Sequence, residues 1–391
     1  MIYDVIIIGA GAAGLFCGAT FSHNVNGLIL EKTKKPATKL LMSGSGQCNI
    51  THGGSIKNFI NHYGDNGSKI RSCLYKNSNS ILIDFFEKNN VPLFQRKDGK
   101  IFPKSLNSKD VSEMLLKKTI ENGFSILTEQ NVISIKKHIN GYAISTDSAC
   151  FYSKKVVIAT GGKSYKSTGS DGGFFNILHR DLSFEIVDLK PSLIPVFVQN
   201  YPFYDISGIS FENISLQHFR NNKKLKEFTG DLLITHKNFS GPLILNFSRY
   251  VGVGDEIVIN YLYPLNFKEI MDKLNNVTKS TNKDLANILS LEFNLPKRFC
   301  QIITKFANFK LRETAKILSG QKFSVSGVAG FDYAMCTSGG VSLKEINIQT
   351  MESIRYPGLF LIGEVLDIDG DTGGYNLQFA FSSAKAANKN L

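Results

Sequence analysis

Apolar residues open the chain as a tight block. Val5-Ile6-Ile7-Ile8 is a run of strand length with no polar interruption, the pattern of a strand covered on both faces. Gly9-Ala10-Gly11-Ala12-Ala13-Gly14 follows, then a helix-like stretch and a second apolar run, Leu28-Ile29-Leu30, ending on Glu31. The order predicts strand, crossover helix and parallel strand. Helical spacing of Ile81, Leu82, Phe85 and Phe86 predicts a helix near 80–89. Val111, Met114 and Leu115 predict another over 108–121, with Ser108 and Asp110 as capping candidates. A short strand is expected at 124–127 and an antiparallel excursion at 132–136 and 141–145. Val156-Val157-Ile158 then reads as a buried strand entering Ala159-Thr160-Gly161-Gly162.

After residue 191 the pattern changes to short β-rich runs broken by turn residues, at 194–198, 214–219, 231–235 and 256–261. Helical periodicity takes over through Phe267, Ile270, Met271 and Leu274, then Leu285, Ile288 and Leu289, then Ile302, Ile303 and Phe306. The β pattern returns at 323–328. A final buried run, Leu359-Phe360-Leu361-Ile362, ends on Gly363-Glu364, and Gly373-Gly374 opens a terminal helix. The right-handed crossover rule places this late strand in the N-terminal sheet. The expected architecture is α/β: a discontinuous Rossmann-like domain over 1–191 and 336–391. Inserted in it are a β-barrel domain at 192–264 and 320–335 and a helical domain at 265–319.

The glycines at 9, 11 and 14 stand in a strand–helix–strand context with a terminal acid, which is the fingerprint of a dinucleotide site. Gly9 serves the tight turn, Gly11 the close approach of a pyrophosphate, and Gly14 the packing of helix on sheet. The helix N-terminus presents free N–H groups to the phosphates, and Glu31 accepts from ribose hydroxyls. Four further glycine-bearing segments need another explanation: Ser43–Asn49, Ala159–Gly162, Leu361–Glu364 and Gly373–Gln378. A long cofactor such as FAD touches the protein far from its pyrophosphate, and these segments match a flavoprotein of the glutathione-reductase type. The terminal helix would then aim its N-terminus at the flavin, where it tunes the reduced ring.

Several motifs together resemble the HI0933-like flavoproteins, FAD-dependent oxidoreductases of bacteria and archaea. They are Lys39-Leu40-Leu41-Met42-Ser43-Gly44-Ser45-Gly46-Gln47-Cys48-Asn49, Ala159-Thr160-Gly161-Gly162, Thr235-His236, Ser240-Gly241-Pro242, Ser338-Gly339-Gly340-Val341, Gly363-Glu364-Val365-Leu366-Asp367 and Thr372-Gly373-Gly374-Tyr375-Asn376-Leu377-Gln378. The resemblance implies tightly held FAD and NAD(P)H as a transient electron donor, since no second fingerprint is present. Three departures stand out: Gln47 where many members carry arginine, Asn238 in place of a glycine, tolerable there because asparagine adopts the left-handed conformation, and Cys336 where a β-branched residue is commoner. The contact set expected around FAD is Gly9, Gly11, Ala12, Ala13, Gly14, Glu31, Lys32, Lys39, Ser43, Gly44, Gln47, Cys48, Asn49, Val132, Ala159, Thr160, Gly161, Gly363, Glu364, Gly373, Gly374, Tyr375, Asn376 and Leu377. Glu364 is expected on the ribityl chain, and the Asn376 and Gln378 amides at the flavin pyrimidine.

Three residues carry chemical alternatives. Cys48 is either a redox thiol beside the flavin or a small residue packed in a tight loop. His236 is either a general acid or a cap on the Ser240-Gly241-Pro242 turn. Tyr375 either orients the flavin or fills an interface. Asp367, Asp369 and Asp371 lack the frame of a calcium loop, so no metal is expected.

Six cysteines without a C-x-x-C pair, and a first strand that begins almost at residue 1, lead to the expectation of reduced thiols and a cytoplasmic location. No apolar run approaches the length of a membrane span. The net charge of +12 reads as a lysine-rich composition spread over the chain, with short basic groups at 32–35 and 223–226, and no nucleic-acid partner is expected. The function expected is an FAD-dependent oxidoreductase passing hydride from flavin N5 to a small unsaturated or carbonyl substrate. The rivals are a flavin-dependent RNA-modifying enzyme, suggested by the charge, and a non-catalytic flavin sensor or scaffold.

Overall fold

The computed structural model describes residues 2–22, 25–281 and 283–391. Its contacts divide the chain into two compact units, 1–191 with 334–391, and 192–333.

Five parallel strands form the heart of the first unit, in the order Leu359–Leu361, Cys150–Ile158, Ile2–Ile8, Gly27–Leu30, Phe124–Leu127. Ile6 is registered with Leu28 on one side and Val156 on the other, and all three side chains are fully buried. Such continuous apolar runs are what a sheet covered on both faces requires. The strand Cys150–Ile158 has two neighbours on one edge. Residues 156–158 pair with the late strand, while 150–153 take the antiparallel pair Val132–His138 and Gly141–Thr146. Residues from the two ends of the chain therefore share one sheet, as the crossover rule anticipated.

The terminal helix Tyr375–Ala387 packs on the crossover helix Ala12–Ala19. The rings of Phe16 and Phe381 meet edge-on at 5.5 Å, and Asn388 Nδ2 donates to the Cys17 carbonyl at 2.9 Å. The helix Ser108–Glu121 lies where periodicity placed it, but its cap is different. Asn107 caps it by accepting from Lys109 N, while the Ser108 hydroxyl turns away to the Leu41 carbonyl at 2.8 Å. A three-stranded sheet of Thr51–His52, Leu93–Gln95 and Lys100–Pro103 was not anticipated. Its strands are two to four residues long, too short to display a period.

The second unit is a closed antiparallel barrel. Its strands run Val196–Val198, Phe239–Ser240, Lys223–Ile234, Ser210–Arg220, Glu256–Asn260 and Gln321–Val328, and the last pairs with the first. Helices Phe267–Thr278, Leu285–Glu292, Lys297–Phe306 and Leu311–Gly320 interrupt the barrel between its last two strands. Asn266 and Glu269 form a reciprocal capping box at the start of the first. Barrel and helices share a single core in which Phe299 touches Phe203, Phe211 and Tyr261.

Candidate functional site

Chemistry-bearing residues of the first unit gather at the C-terminal ends of its parallel strands, where ligands bind in open α/β sheets. Gly9 leaves the first strand with φ +104°, and a Cβ there would lie 2.5 Å from the Ala159 carbonyl oxygen. Only glycine fits. A Cβ on Gly14 would lie 2.0 Å from the Gly9 carbonyl, so this glycine lets the helix start close on the turn. Gly11 differs, because a Cβ there would meet nothing within 4 Å and its φ of −81° suits any residue. The absence of a side chain at Gly11 leaves room for a ligand rather than for the protein. No side chain caps the helix that begins here, and its first turn carries no acid. A helix N-terminus is worth about 0.3–1 kcal/mol to an anion.

Thr160 gives a second, independent sign. It follows Ala159, the residue against which Gly9 packs, and its Oγ1 is buried without a hydrogen-bond partner among the described residues. Buried hydroxyls are nearly always paired, and an orphan at this point fits a partner that is not protein. The open space at Gly11, the Thr160 hydroxyl and the uncapped helix together suit a dinucleotide cofactor.

Glu31, at the end of the second strand, is buried and clasps the turn. Its Oε2 accepts from Ala10 N at 2.8 Å, and its Oε1 accepts from Thr33 N at 2.8 Å and Thr33 Oγ1 at 2.7 Å. Lys32 reaches Asp171 at 2.6 Å. Burial alone would raise the Asp171 carboxyl, but the Lys32 ammonium and the Gly173 N–H outweigh it and hold the group below its usual range. Val132 is buried at the start of its strand.

Glu364 is the hub of a polar network that sequence reasoning did not anticipate. Its Oε2 accepts from Lys39 Nζ at 2.6 Å, and its Oε1 accepts from Thr337 N at 2.8 Å and Ser164 Oγ at 3.0 Å. Lys39 Nζ also donates to Ser164 Oγ at 2.7 Å. The preceding Gly363 lies against Ala13, and its N–H donates to Ser383 Oγ at 3.0 Å.

The Ser43–Gly46 loop winds through left-handed conformations at Gly44 and Ser45, and Cys48 follows with φ +59°. Gln47 N closes it on the Gly44 carbonyl at 3.1 Å, and Cys48 N on the Ser43 carbonyl at 2.9 Å. Cys48 is fully buried, and burial pushes its thiol up to about 12 despite a hydrogen bond with Ser43. Cys17, Cys48, Cys73, Cys150 and Cys300 are free thiols. Asn49 ties this loop to the terminal helix, its amide donating to the Thr51 and Ile101 carbonyls and accepting from Gly374 N at 3.0 Å.

The terminal helix begins at a crowded point. Gly374 has φ +96°, and a Cβ there would lie 2.6 Å from the Thr51 backbone. No side chain caps this helix either, and no acid lies in its first turn. The Asn376 amide clasps Gly370, accepting from its N–H at 2.7 Å and donating to its carbonyl at 3.0 Å. Gln378 is buried and occupied: it accepts from Thr51 Oγ1 at 2.6 Å and donates to the Asn77 carbonyl and Ser382 Oγ. Both amides thus have protein partners. Leu377 is half-buried against the core. Tyr375 is buried between two imidazoles, stacked on His62 at 4.1 Å and on His52 at 5.4 Å.

His236 belongs to the other unit. Its Nε2 lies 2.9 Å from Ser207 Oγ, and it does not cap the Ser240-Gly241-Pro242 turn, where Gly241 starts a helix without side-chain help. Asn238 does not use the left-handed conformation expected of it. It accepts from the Thr235 hydroxyl instead, at 2.6 Å through Oδ1 and 2.8 Å through its carbonyl, which closes the turn.

The family model for the HI0933-like protein Rossmann domain matches residues 3–390. The chain belongs to the HI0933-like family of FAD-dependent oxidoreductases. It is 28% identical over 412 residues to the ribosomal RNA dihydrouridine synthase of Escherichia coli (strain K12), covering 100% of this chain and 98% of that protein. It is 26% identical over 406 residues to the 3-dehydro-bile acid delta(4,6)-reductase of Clostridium scindens, covering 98% and 97%. Among solved structures it is similar to the 3-ketosteroid-delta4-(5alpha)-dehydrogenase of Rhodococcus jostii RHA1, at a TM-score of 0.51 and 13% identity, covering 99% of this chain and 96% of that one. At that identity the likeness is one of fold. Among the described residues no helix is long and apolar enough to cross a membrane.

Proposed function

We propose that this protein is an FAD-dependent reductase of a carbon–carbon double bond conjugated to a carbonyl, and that the bond it reduces lies in a uridine of ribosomal RNA. The RNA assignment is carried by the similarity to the E. coli ribosomal RNA dihydrouridine synthase, which spans all of this chain and nearly all of that protein. Both units of this chain therefore have counterparts there. The 45 lysines and arginines against 33 acids suit a polyanionic substrate.

FAD, when bound, would supply hydride chemistry, with NAD(P)H as the proposed transient electron donor. Gly9, Gly11, Ala12, Ala13 and Gly14 would hold its pyrophosphate, with Glu31 and Lys32 at the ribose and Thr160 donating its hydroxyl. Ser43, Gly44, Gln47, Cys48, Asn49, Gly373 and Gly374 would hold the flavin end, with Lys39 and Glu364 along the ribityl chain. The orphaned Thr160 hydroxyl and the room at Gly11 are the observations behind this assignment.

The test uses flavin-loaded protein mixed anaerobically with NADH and with NADPH, then with unmodified ribosomal RNA. The expected product is a nucleoside heavier by two hydrogens after digestion, with RNA binding that weakens steeply as salt rises. Protein that purifies without flavin ends the oxidoreductase reading, and salt-independent or undetectable RNA binding ends the RNA reading. A second reading, a small enone as substrate, is favoured by the similarity to the bile acid reductase. It predicts reoxidation of the reduced protein by a steroid enone and not by RNA.

A further inference from the structure

We propose that His62, oriented by Asp371, is the general acid that protonates the substrate carbon; this rests on the reductase reading above. Reducing a conjugated C=C bond takes a hydride and a proton, and the proton needs a donor beside the cofactor's reactive ring. That ring is assigned to the start of the terminal helix, at Gly373–Gly374. Three side chains with an exchangeable proton cluster there as a stack: His52, Tyr375 and His62. A Cβ on Gly373 would lie 3.3 Å from the Tyr375 ring and 3.5 Å from His52, so these two flank the glycine pair, and His62 joins them through its stack on Tyr375.

Geometry separates the three. His52 has both ring nitrogens against backbone carbonyls, Nδ1 at 2.9 Å from Gly53 O and Nε2 at 3.1 Å from Asp98 O. It has no nitrogen left for a substrate. Tyr375 is buried, and burial drives its phenol well above its ordinary range. Cys48 is equally buried and its thiol is pushed up. His62 is the exception. Its side chain is 37% exposed, Nδ1 lies 3.0 Å from Asp371 Oδ2, and no partner to Nε2 is seen among the described residues.

The surroundings lock this ring. Asp371 N donates to the His62 carbonyl at 2.8 Å, so the same two residues are joined through backbone and side chain. The ring lies flat on Tyr375 with planes 13° apart, and the neighbouring Tyr63 donates its hydroxyl to the Tyr375 carbonyl at 2.8 Å. A carboxylate on Nδ1 fixes which nitrogen keeps its proton after transfer, and Nε2–H is the outward acid. The substrate gains a hydride at its β-carbon from the reduced flavin and a proton at its α-carbon from Nε2. The C=C bond is reduced, the flavin is oxidised, and water reprotonates the imidazole.

The experiment uses full-length flavin-loaded protein, reduced anaerobically and then mixed with unmodified ribosomal RNA. His62→Ala should slow RNA-driven reoxidation by about a hundredfold to ten-thousandfold, with partial recovery on adding imidazole. Reoxidation by oxygen, which protonates no carbon, serves as the control. A second readout needs no turnover: nitrogen-15 spectra of the apoprotein should show His62 with its proton on Nδ1, and Asp371→Asn should abolish that preference. Wild-type rates in His62→Ala, a loss that imidazole does not restore, or a neutral ring protonated on Nε2 and not on Nδ1 in the native apoprotein would overturn the assignment. If RNA fails to reoxidise the wild type as well, the substrate reading has failed, and the same comparison made with 2-cyclohexen-1-one decides the role of His62.

Discussion

Gly363 and Ala13 come from opposite ends of the chain and touch so closely that a Cβ on Gly363 would lie 2.7 Å from the Cβ of Ala13. Gly363 takes φ +71° there, and its N–H is held by Ser383 of the terminal helix. The contact brings the late strand's exit over the first turn of the crossover helix. Segments from both ends of the chain thereby meet at one turn.

The glycines of the fingerprint should separate into structural and ligand-bearing ones. Gly14→Ala pushes a methyl into the Gly9 carbonyl and should cost about 1–3 kcal/mol of stability, seen in the thermal melt of the apoprotein. Gly11→Ala should leave that melt unchanged and lower the flavin content of the purified protein. Full flavin retention in Gly11→Ala would show that the open space there is not used.

Glu364 should behave as an acceptor hub. Glu364→Ala strands the donors Lys39 Nζ, Ser164 Oγ and Thr337 N, at an expected cost of about 1–3 kcal/mol in urea unfolding. Glu364→Gln keeps an acceptor oxygen and should lose clearly less. Equal losses would mean that charge rather than hydrogen bonding is what matters at this position.

Thiol chemistry should be silent at Cys48. Burial holds the thiols of Cys48, Cys73 and Cys300 at about 12, against an ordinary value of 9.0. Iodoacetamide applied to native protein near neutral pH should alkylate the exposed Cys150 first, read by peptide mass spectrometry. Because the folded-state values are raised, their contribution to stability is complete below pH 9 and is lost as pH rises towards 12. Rapid modification of Cys48 would contradict the packing described.

Asn376→Ala should free the Gly370 loop. Removing both hydrogen bonds to Gly370 should cost about 1–2 kcal/mol and accelerate loss of flavin on dilution. Unchanged flavin dissociation would separate this clasp from the cofactor groove.

The runs at 5–8, 28–30 and 156–158 were legible because each is a local apolar block, and a sheet covered on both faces needs such runs, whereas residues 150–155 of the last strand include Lys154 and Lys155 and show no such block. The four-helix interruption of the barrel showed itself through a change of period. The sheet at 51–52, 93–95 and 100–103 did not, since strands of a few residues carry no periodicity. The Asn107 cap was missed by a single position, because a cap is chosen by backbone geometry and several polar residues adjoin that helix start. The site divides along the same line. The glycine turn could be read from spacing alone, whereas Ser164, Thr337, His62 and Asp371 had no motif that marked them as partners.

By itself, the order of residues determined the fingerprint turn, the strands and helices that flank it, and the family to which the chain belongs. These depend on neighbours within a few positions, and short-range sterics leave a trace in spacing. Only the tertiary structure decided that Glu364 gathers Lys39, Ser164 and Thr337, that the Thr160 hydroxyl has no partner among the described residues, and that Asp371 meets His62. Such partners lie far apart along the chain, and their meeting depends on how the sheet is closed, which no local pattern encodes.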